Sequence, residues 1–349
     1  MAALAAAAVP GFDPALTTLI SVHAEDVEVA GIIGADGRRI VLAAPQSDAA
    51  GAQVQKDLAV AETLSHSHHK GMVERPLGAV ATTAGRRAFA SEPAPGAPVM
   101  LDRLGAHDLA PSLATAIAAI HSVPVYIPER AGIEVFTASA LRTAHRSRVQ
   151  RAVSTGHVGE LVTERWEAVL ADDELWDFET CFVHGSLSEE TLFAHDDRIT
   201  GITQWHAAAI GDPAHDVAWL LSSLPADDAQ EFLAAYAEAM PVPLHPRFEE
   251  RAHVLGELAI ADWLLHGVDT ADESIIEDGR GMLADLEEDL AEARRREQER
   301  REEERRAAEH EAAERAAAEH DDEARGVTDA ELAPHERTTA HRAPQRDDH

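Results

Sequence analysis

Short apolar stretches separated by turn residues dominate the first part of the chain. Residues 27–33 and 39–43 alternate in the manner of half-buried strands, and they flank Gly34-Ala-Asp-Gly37. The Asp-Gly pair in that turn favours a hairpin. Residues 80–82 and 87–91 predict a second hairpin. The pattern therefore predicts a small β-rich region at the start of the chain.

In the other segments, apolar residues recur at the spacing of a helix. Val54, Leu58 and Ala61 share one face of a helix predicted from residue 53 to residue 64. The proline-rich segment Glu92–Pro98 reads as a linker, because each proline removes a backbone hydrogen-bond donor. Beyond it the chain is mainly helical to about Leu290. The helices are predicted at 109–121, within 136–170 (one or two), and at 214–223, 227–240 and 247–267, with short strands at 181–183 and 199–204.

The last part of the chain is rich in Glu, Arg and Ala. Leu283, Leu286 and Leu290 keep helical spacing, but the apolar stripe ends beyond Arg294. Glu–Arg pairs four residues apart support a helix in the orientation that stabilises it. We expect either a solvated single helix or disordered tail, or an arm that binds a partner or dimerises. Residues 326–349 are predicted to be disordered.

Charge and cysteine content exclude several classes of function. The 349 residues carry a formal net charge of -33, which disfavours a nucleic-acid binder and an anionic membrane surface. Cys181 is the only cysteine, so neither an internal disulfide nor a cysteine-based zinc site can form. The apolar run after Met1 is too short for a membrane span and lacks a basic start, and we expect a cytoplasmic protein.

One constellation of motifs is specific. Cys181-Phe-Val-His-Gly-Ser186 leads to Thr191, then come Ile202-Thr-Gln-Trp205 and Gly211-Asp-Pro-Ala-His-Asp216. The series resembles the active-site signature of the aminoglycoside/macrolide phosphotransferase family, which reads H-G-D-x4-N, I-D-W and G-D-P-x2-D. Segments 41–45, 56–62, 75–78 and 116–124 resemble further family segments in the same order.

This resemblance implies an α+β, bilobal, protein-kinase-like fold of the aminoglycoside phosphotransferase type. Residues 1–94 would form a small β-rich N-lobe, and residues 95–290 a helical C-lobe with the catalytic loop. Residues 291–349 would form a long charged helix and tail. The implied activity is phosphoryl transfer from ATP with Mg²⁺, which depends on positioned phosphates, a metal and a residue that orients the attacking hydroxyl.

The residues expected to carry that chemistry are replaced. Ser186 stands where the family has its catalytic Asp, and a serine hydroxyl is no base near neutral pH. Thr191 and Gln204 stand at the metal-binding Asn and Asp positions, which leaves no charged protein ligand for Mg²⁺. Ala43 occupies the place of the nucleotide-clamping Lys, and Asp57 is the nearest match to the Glu that pairs with it.

The residues that shape the loop are retained. His184, Gly185, Trp205, Asp212 and Asp216 match the family pattern, and we assign them structural roles. We expect His184 to bond to backbone, and Asp216 to bond to the backbone of the His184 loop and cap the next helix.

Substitutes for the missing groups are conceivable but poorly placed in the sequence. Glu189, Glu190, His206 or Asp212 could supply an acid or base, and Arg38 or Arg39 a clamp. The histidine cluster at 66–69 reads as a solvated loop rather than a metal site, since no paired carboxylates or cysteines accompany it.

Three functions follow from these residues. The favoured one is a catalytically degenerate, pseudokinase-like binding or regulatory module with no cofactor. Its interlobe cleft would hold a small molecule or nucleotide, and its tail would contact a protein partner. The alternatives are an active ATP- and Mg²⁺-dependent phosphotransferase with a relocated site, and a structural protein that works through its C-terminal helix.

Overall fold

The computed structural model describes residues 1–20, 26–65, 73–100, 109–127 and 132–331, with residues 316–331 described by their backbone alone. The chain forms two compact units, Met1–Leu286 and Glu287–His349. Within the first unit we call residues 1–94 the N-lobe and residues 95–286 the C-lobe. The histidine cluster at 66–69 lies outside the described residues.

A five-stranded antiparallel sheet forms the N-lobe. Its strands are β1 (Pro14–Ile20), β2 (Val27–Gly34), β3 (Arg39–Pro45), β4 (Pro76–Ala81) and β5 (Arg87–Ser91), in the order β1-β2-β3-β5-β4. Helix α1 (Ala2–Ala8) packs on one face with Ile32, Leu42 and Ala90. Gly78 allows this contact, because a Cβ there would lie 2.1 Å from the Ala8 carbonyl oxygen. Both predicted hairpins are present.

Helix α2 (Asp48–Ser65) contains the predicted helix but begins earlier. The Ser47 hydroxyl accepts a hydrogen bond from the Ala50 amide at 3.1 Å, which caps the first turn. The apolar face from which this helix was predicted begins at Val54 and does not reveal the cap at Ser47. Ala43 alternates with Leu42 along β3 and so lies on the sheet face opposite α1. Helix α2 contacts the C-lobe segment Trp205–Ala207.

The C-lobe is mainly helical. Its helices are α3 (Leu109–His121), α4 (Ala138–Ser154), α5 (Glu160–Ala171), α6 (His215–Ser223), α7 (Ala226–Ala239) and α8 (Phe248–Thr270). Its strands are β6 (Ala97–Pro98), β7 (Cys181–Val183), β8 (Leu192–His195), β9 (Arg198–Ile202) and β10 (Ala209–Gly211). Strand β10 pairs with β7, and β8 lies between β6 and β9. Helix α3 packs on α7, and α6 packs on α8.

Helix α9 (Glu273–Glu331) ends the described chain. Near its start, Leu283 is buried and Gly279 faces Leu264 of α8. Farther along, arginines pair with glutamates four residues earlier, as Arg296 does with Glu292 at 2.6 Å.

The prediction that residue 326 begins a disordered tail was wrong for residues 326–331, which are helical. A glycine inside a helix costs only about 1 kcal/mol, so Gly326 does not have to end it. Residues 332–349 lie outside the described part of the chain. No helix among the described residues is long and apolar enough to cross a membrane.

Candidate functional site

One buried carboxylate holds the backbone of the loop that follows β7. Asp216, in the first turn of α6, accepts hydrogen bonds from the backbone amides of His184 and Gly185, each at 2.7 Å. Its side chain is fully buried. Two charge-assisted bonds to successive amides fix the course of the backbone, so Asp216 shapes this loop.

A buried histidine completes the support of Asp216. His121, at the end of α3, lies with Nε2 3.1 Å from an Asp216 oxygen and Nδ1 2.6 Å from the Tyr236 hydroxyl. Burial alone would raise the pKa of Asp216, but the hydrogen bond and charge of His121 outweigh it and lower that pKa. The sequence analysis included His121 in a segment that resembles the end of a family helix. It gave no indication of Tyr236, which lies more than a hundred residues farther along the chain.

His184 is a structural member of the loop. Its Nε2 donates to the Thr203 carbonyl at 2.9 Å, and its Nδ1 accepts from the Ser186 amide at 3.3 Å. Burial lowers the pKa of His184, so the ring is neutral at physiological pH. With both nitrogens engaged, the ring ties the loop to Thr203, which follows the last residue of β9.

Ser186, which the sequence resemblance aligns with the family's catalytic aspartate, has an uncharged side chain. Its hydroxyl oxygen is buried and has no hydrogen-bond partner among the described residues. The preceding Gly185 has a φ of 82°, and a Cβ there would lie 2.4 Å from the Ala207 carbonyl oxygen. The backbone is therefore held tightly in the loop, while the Ser186 hydroxyl makes no hydrogen bond with a described residue.

The Thr191 hydroxyl is used inside its own turn. It donates to the Ser188 carbonyl at 2.8 Å and accepts from the Ser188 amide at 3.2 Å, which closes a capping box around the short 3-10 helix Glu189–Thr191. The side chain is buried. A hydroxyl engaged in this way is not presented to a metal ion.

Gln204 begins the second short 3-10 helix, Trp205–Ala207, with a left-handed φ of 64°. The backbone amide of Trp205 donates to Asp57 Oδ1 of α2 at 2.7 Å. The Trp205 indole is buried, bonds to the Ile202 carbonyl at 3.0 Å and lies against the His184 ring. Asp57 thus joins the two lobes through a backbone amide, at the residue that follows the altered metal position.

A second carboxyl group lies near Asp57. Burial, together with the charge of Asp57, raises the pKa of Glu74 to about 8, and a long hydrogen bond from Ser91 opposes the rise only in part. Burial raises the pKa of Asp57 to about 6, against the bond from Trp205. Neither group forms an ion pair with another described residue, since Ala43 provides no cation. Sequence reasoning missed Glu74, because no family motif includes it.

Asp212 is committed to a buried ion pair. Arg251 of α8 approaches its two oxygens to 2.9 and 3.2 Å, and its guanidinium lies 4.0 Å from the centre of the Phe178 ring. The Ala214 amide also donates to Asp212 at 2.9 Å. The prediction that Asp216 caps the next helix needs correction: Asp212 bonds the amide that precedes α6, while Asp216 lies within the helix. The sequence did not single out Arg251.

The other proposed substitutes lie in varied settings. Arg38 is bound to Asp36 and to the Gly11 carbonyl at the hairpin, and Arg39 is exposed at the start of β3. Burial and the nearby charge of Lys56 lower the pKa of His206. Glu189 and Glu190 lie on the short 3-10 helix that Thr191 closes.

Magnesium does not fit the residues present. Among the residues that the structure describes, no group of three or more His, Cys, Asp or Glu side chains is arranged to hold a metal ion. At the two positions that the sequence resemblance predicts for metal binding, Thr191 is bonded within its turn and Gln204 has no charge. Magnesium prefers several oxygen ligands that include a carboxylate. The side chains at these positions therefore do not suit Mg²⁺.

Comparison with known proteins identifies the family. The sequence model of the family described as "Phosphotransferase enzyme family" matches residues 32–250 of this chain. The chain belongs to that family. A curated relative, the uncharacterized protein YcbJ of Bacillus subtilis (strain 168), is 27% identical over 110 residues, which make up 31% of this chain and 36% of that protein.

Solved structures show the same fold. Macrolide 2'-phosphotransferase MphH from Brachybacterium faecium is similar with a TM-score of 0.68 and 24% identity, over 78% of this chain and 94% of that one. APH(2")-IIia, solved with GDP and kanamycin, gives a TM-score of 0.67 and 15% identity, over 82% of this chain and 98% of that one. The predicted kinase-like α+β fold is confirmed.

Proposed function

We propose that this chain is a catalytically degenerate phosphotransferase that acts as a binding or regulatory module. One observation carries the proposal: none of the four altered positions supplies a charged side chain for phosphoryl transfer. Ser186 and Gln204 are neutral, Thr191 is bonded within its turn and Ala43 has no cation. Since the protein's part in this chemistry is positioning and charge stabilisation, their loss removes most of it.

The absence of a cation at Ala43 supports the same conclusion. Asp57 lies on the helix whose acidic residue would pair with the nucleotide-clamping cation in the family, and Ala43 of β3 supplies no such cation. Without that cation, the negative charge of a triphosphate would not be neutralised there, which disfavours its binding. We propose a ligand without a polyphosphate, held between the lobes.

The relatives suggest which small molecules to try. One solved relative is a macrolide 2'-phosphotransferase and another was solved with kanamycin. Macrolides and aminoglycosides are therefore candidate ligands for this cleft. A protein partner for the charged helix α9 is a separate proposal, tested by comparing pull-downs with the full chain and with a chain lacking residues 291–349.

Thermal unfolding in the presence of ATP tests the proposal. We expect the same unfolding midpoint with ATP alone, with Mg²⁺ alone and with both, because no described group holds the metal. A midpoint that rises only when ATP and Mg²⁺ are both present would contradict the degenerate assignment. Turnover of ATP across macrolides and aminoglycosides is the second arm, and a phosphorylated product would favour the active alternative.

A further inference from the structure

A cavity of about 190 Å³ opens between helix α2 and the C-lobe segment 132–134. One face of α2 and this short segment supply its walls: Lys56, Ala59, Val60, Gly132, Ile133 and Glu134. The three residues of α2 share a face because they are three and four positions apart on the helix. None of the four altered motif positions lines the cavity, so it is separate from the cleft of the proposed function.

Hydrogen bonds outside the cavity hold both of its walls. On α2, Asp57 accepts a hydrogen bond from the Trp205 amide of the C-lobe at 2.7 Å. On the other side, the Glu134 carbonyl accepts a hydrogen bond from the Ile210 amide at 2.8 Å, and the Phe136 amide donates to the Ile210 carbonyl at 2.9 Å. The segment therefore runs beside β10. Walls that are fixed before a ligand arrives reduce the cost of binding it.

The cavity has an apolar floor and a cation at its mouth. Val60 and Ile133, which form the floor, are 1% and 7% exposed. At the mouth, Lys56 Nζ lies 3.2 Å from a Glu134 carboxylate oxygen, and the two side chains are 32% and 66% exposed. One end of the cavity thus suits an apolar group, while the other already binds a carboxylate.

The Glu134 carboxylate marks the position that the carboxylate of a ligand would take. An ion pair with this much exposure contributes little to stability, so Glu134 can return to water at small cost. A ligand carboxylate would then restore the bond to Lys56, and the apolar part of the ligand would gain free energy by leaving water. The exchange favours a ligand that carries both groups.

We propose that this cavity binds a small monocarboxylic acid whose apolar part is a single aromatic ring. The carboxylate bonds to Lys56 Nζ, and the ring lies against Val60 and Ile133. An apolar cavity of about 150 Å³ is large enough for benzene, so the volume suits one ring. The net negative charge of the protein does not prevent binding, because charges more than about 8 Å apart are largely screened at physiological salt.

Benzoate is the probe for the direct test, with NMR titration of the full-length protein at physiological ionic strength. We expect a dissociation constant of about 1 mM or below. Benzamide keeps the shape without the charge, and acetate keeps the charge without the ring. Each should bind at least about tenfold more weakly than benzoate. No binding of benzoate, or equal binding of either control compound, would overturn the site.

Two variants locate the site on α2. Lys56→Met removes the cation and should weaken benzoate binding by at least about tenfold. Ala59→Phe places a ring in the cavity from an exposed helix position, so it should abolish binding while Lys56 is retained. Arg39→Met removes an exposed cation at the start of β3 and should bind benzoate as the wild type does. Wild-type affinity in Ala59→Phe, or an equal loss in Arg39→Met, would exclude this cavity.

Glu134→Gln tests the exchange of carboxylates in the opposite direction. The variant removes the group that competes for Lys56 and a negative charge beside the ligand, so benzoate should bind about two- to tenfold more tightly. Unchanged or weaker binding would show that the ligand does not take the position of the Glu134 carboxylate. The exposure of Glu134 makes loss of folding an unlikely source of either result.

Discussion

Two parts of the site, a few residues apart, have opposite characters. Beneath the loop, Asp216 bonds two backbone amides and His121, and every polar atom in this support has a partner. In the same loop, the buried Ser186 hydroxyl has no partner among the described residues. The support that shapes the loop is fully bonded, while the hydroxyl at the predicted catalytic position is not. Folding and catalysis thus place separate demands on this loop.

The largest expected effect comes from breaking the support. Asp216→Ala leaves two buried amides and His121 without their acceptor. We expect it to lower the free energy of unfolding by about 3–5 kcal/mol, measured by urea denaturation. Ser186→Ala removes an unpartnered hydroxyl from the same loop and serves as the matched control. An equal loss of unfolding free energy in the two variants would contradict the distinction between Asp216, which supports the loop, and Ser186, which does not.

Breaking the ion pair between Asp212 and Arg251 should cause the second largest loss of stability. Arg251→Met keeps much of the packing against Phe178 but leaves a buried carboxylate without its cation. We expect a loss of about 3 kcal/mol in the same measurement. Arg280→Met, at an exposed pair with Glu277, is the control and should change stability by less than about 1 kcal/mol. A small loss at Arg251 would show that Asp212 does not need its partner.

The carboxyl groups of Asp216 and Glu74 should titrate in opposite directions. The pKa of Asp216 is lowered, so its stabilisation is present above its usual value near 3.8 and is lost as pH falls below it. The pKa of Glu74 is raised, so its stabilisation is lost as pH rises instead. Acid denaturation of the wild type and Asp216→Asn checks the first: the variant should show a weaker dependence below about pH 4. The same acid profile for both proteins would contradict this assignment.

The smallest effect belongs to Ser186→Ala itself. We expect its free energy of unfolding to lie within about 0.5 kcal/mol of the wild type, because the hydroxyl makes no bond whose loss would be felt. A slight gain is the favoured direction, since an unpartnered buried hydroxyl is costly. A loss above about 1 kcal/mol would show that the hydroxyl has a partner such as bound water.

Sequence reasoning reached the fold because motifs and periodicity are local signals. The hairpins, the helix Leu109–His121 and the altered positions at 186, 191 and 204 could all be recognised from short segments. Arg251, Tyr236 and Glu74 could not, because each acts on a partner far away in the chain. The assignment of the cap to Asp216 rather than Asp212 failed for a related reason: both are acidic and close to the helix start, and only the fold decides which amide each reaches.

Magnesium-dependent nucleotide binding tests the central claim most directly. Calorimetry would compare the wild type with a variant carrying Ala43→Lys, Ser186→Asp, Thr191→Asn and Gln204→Asp, which restores the four family positions on the same frame. We predict no magnesium-dependent ATP binding by the wild type and measurable binding by the variant. Binding of ATP with Mg²⁺ by the wild type would contradict the account.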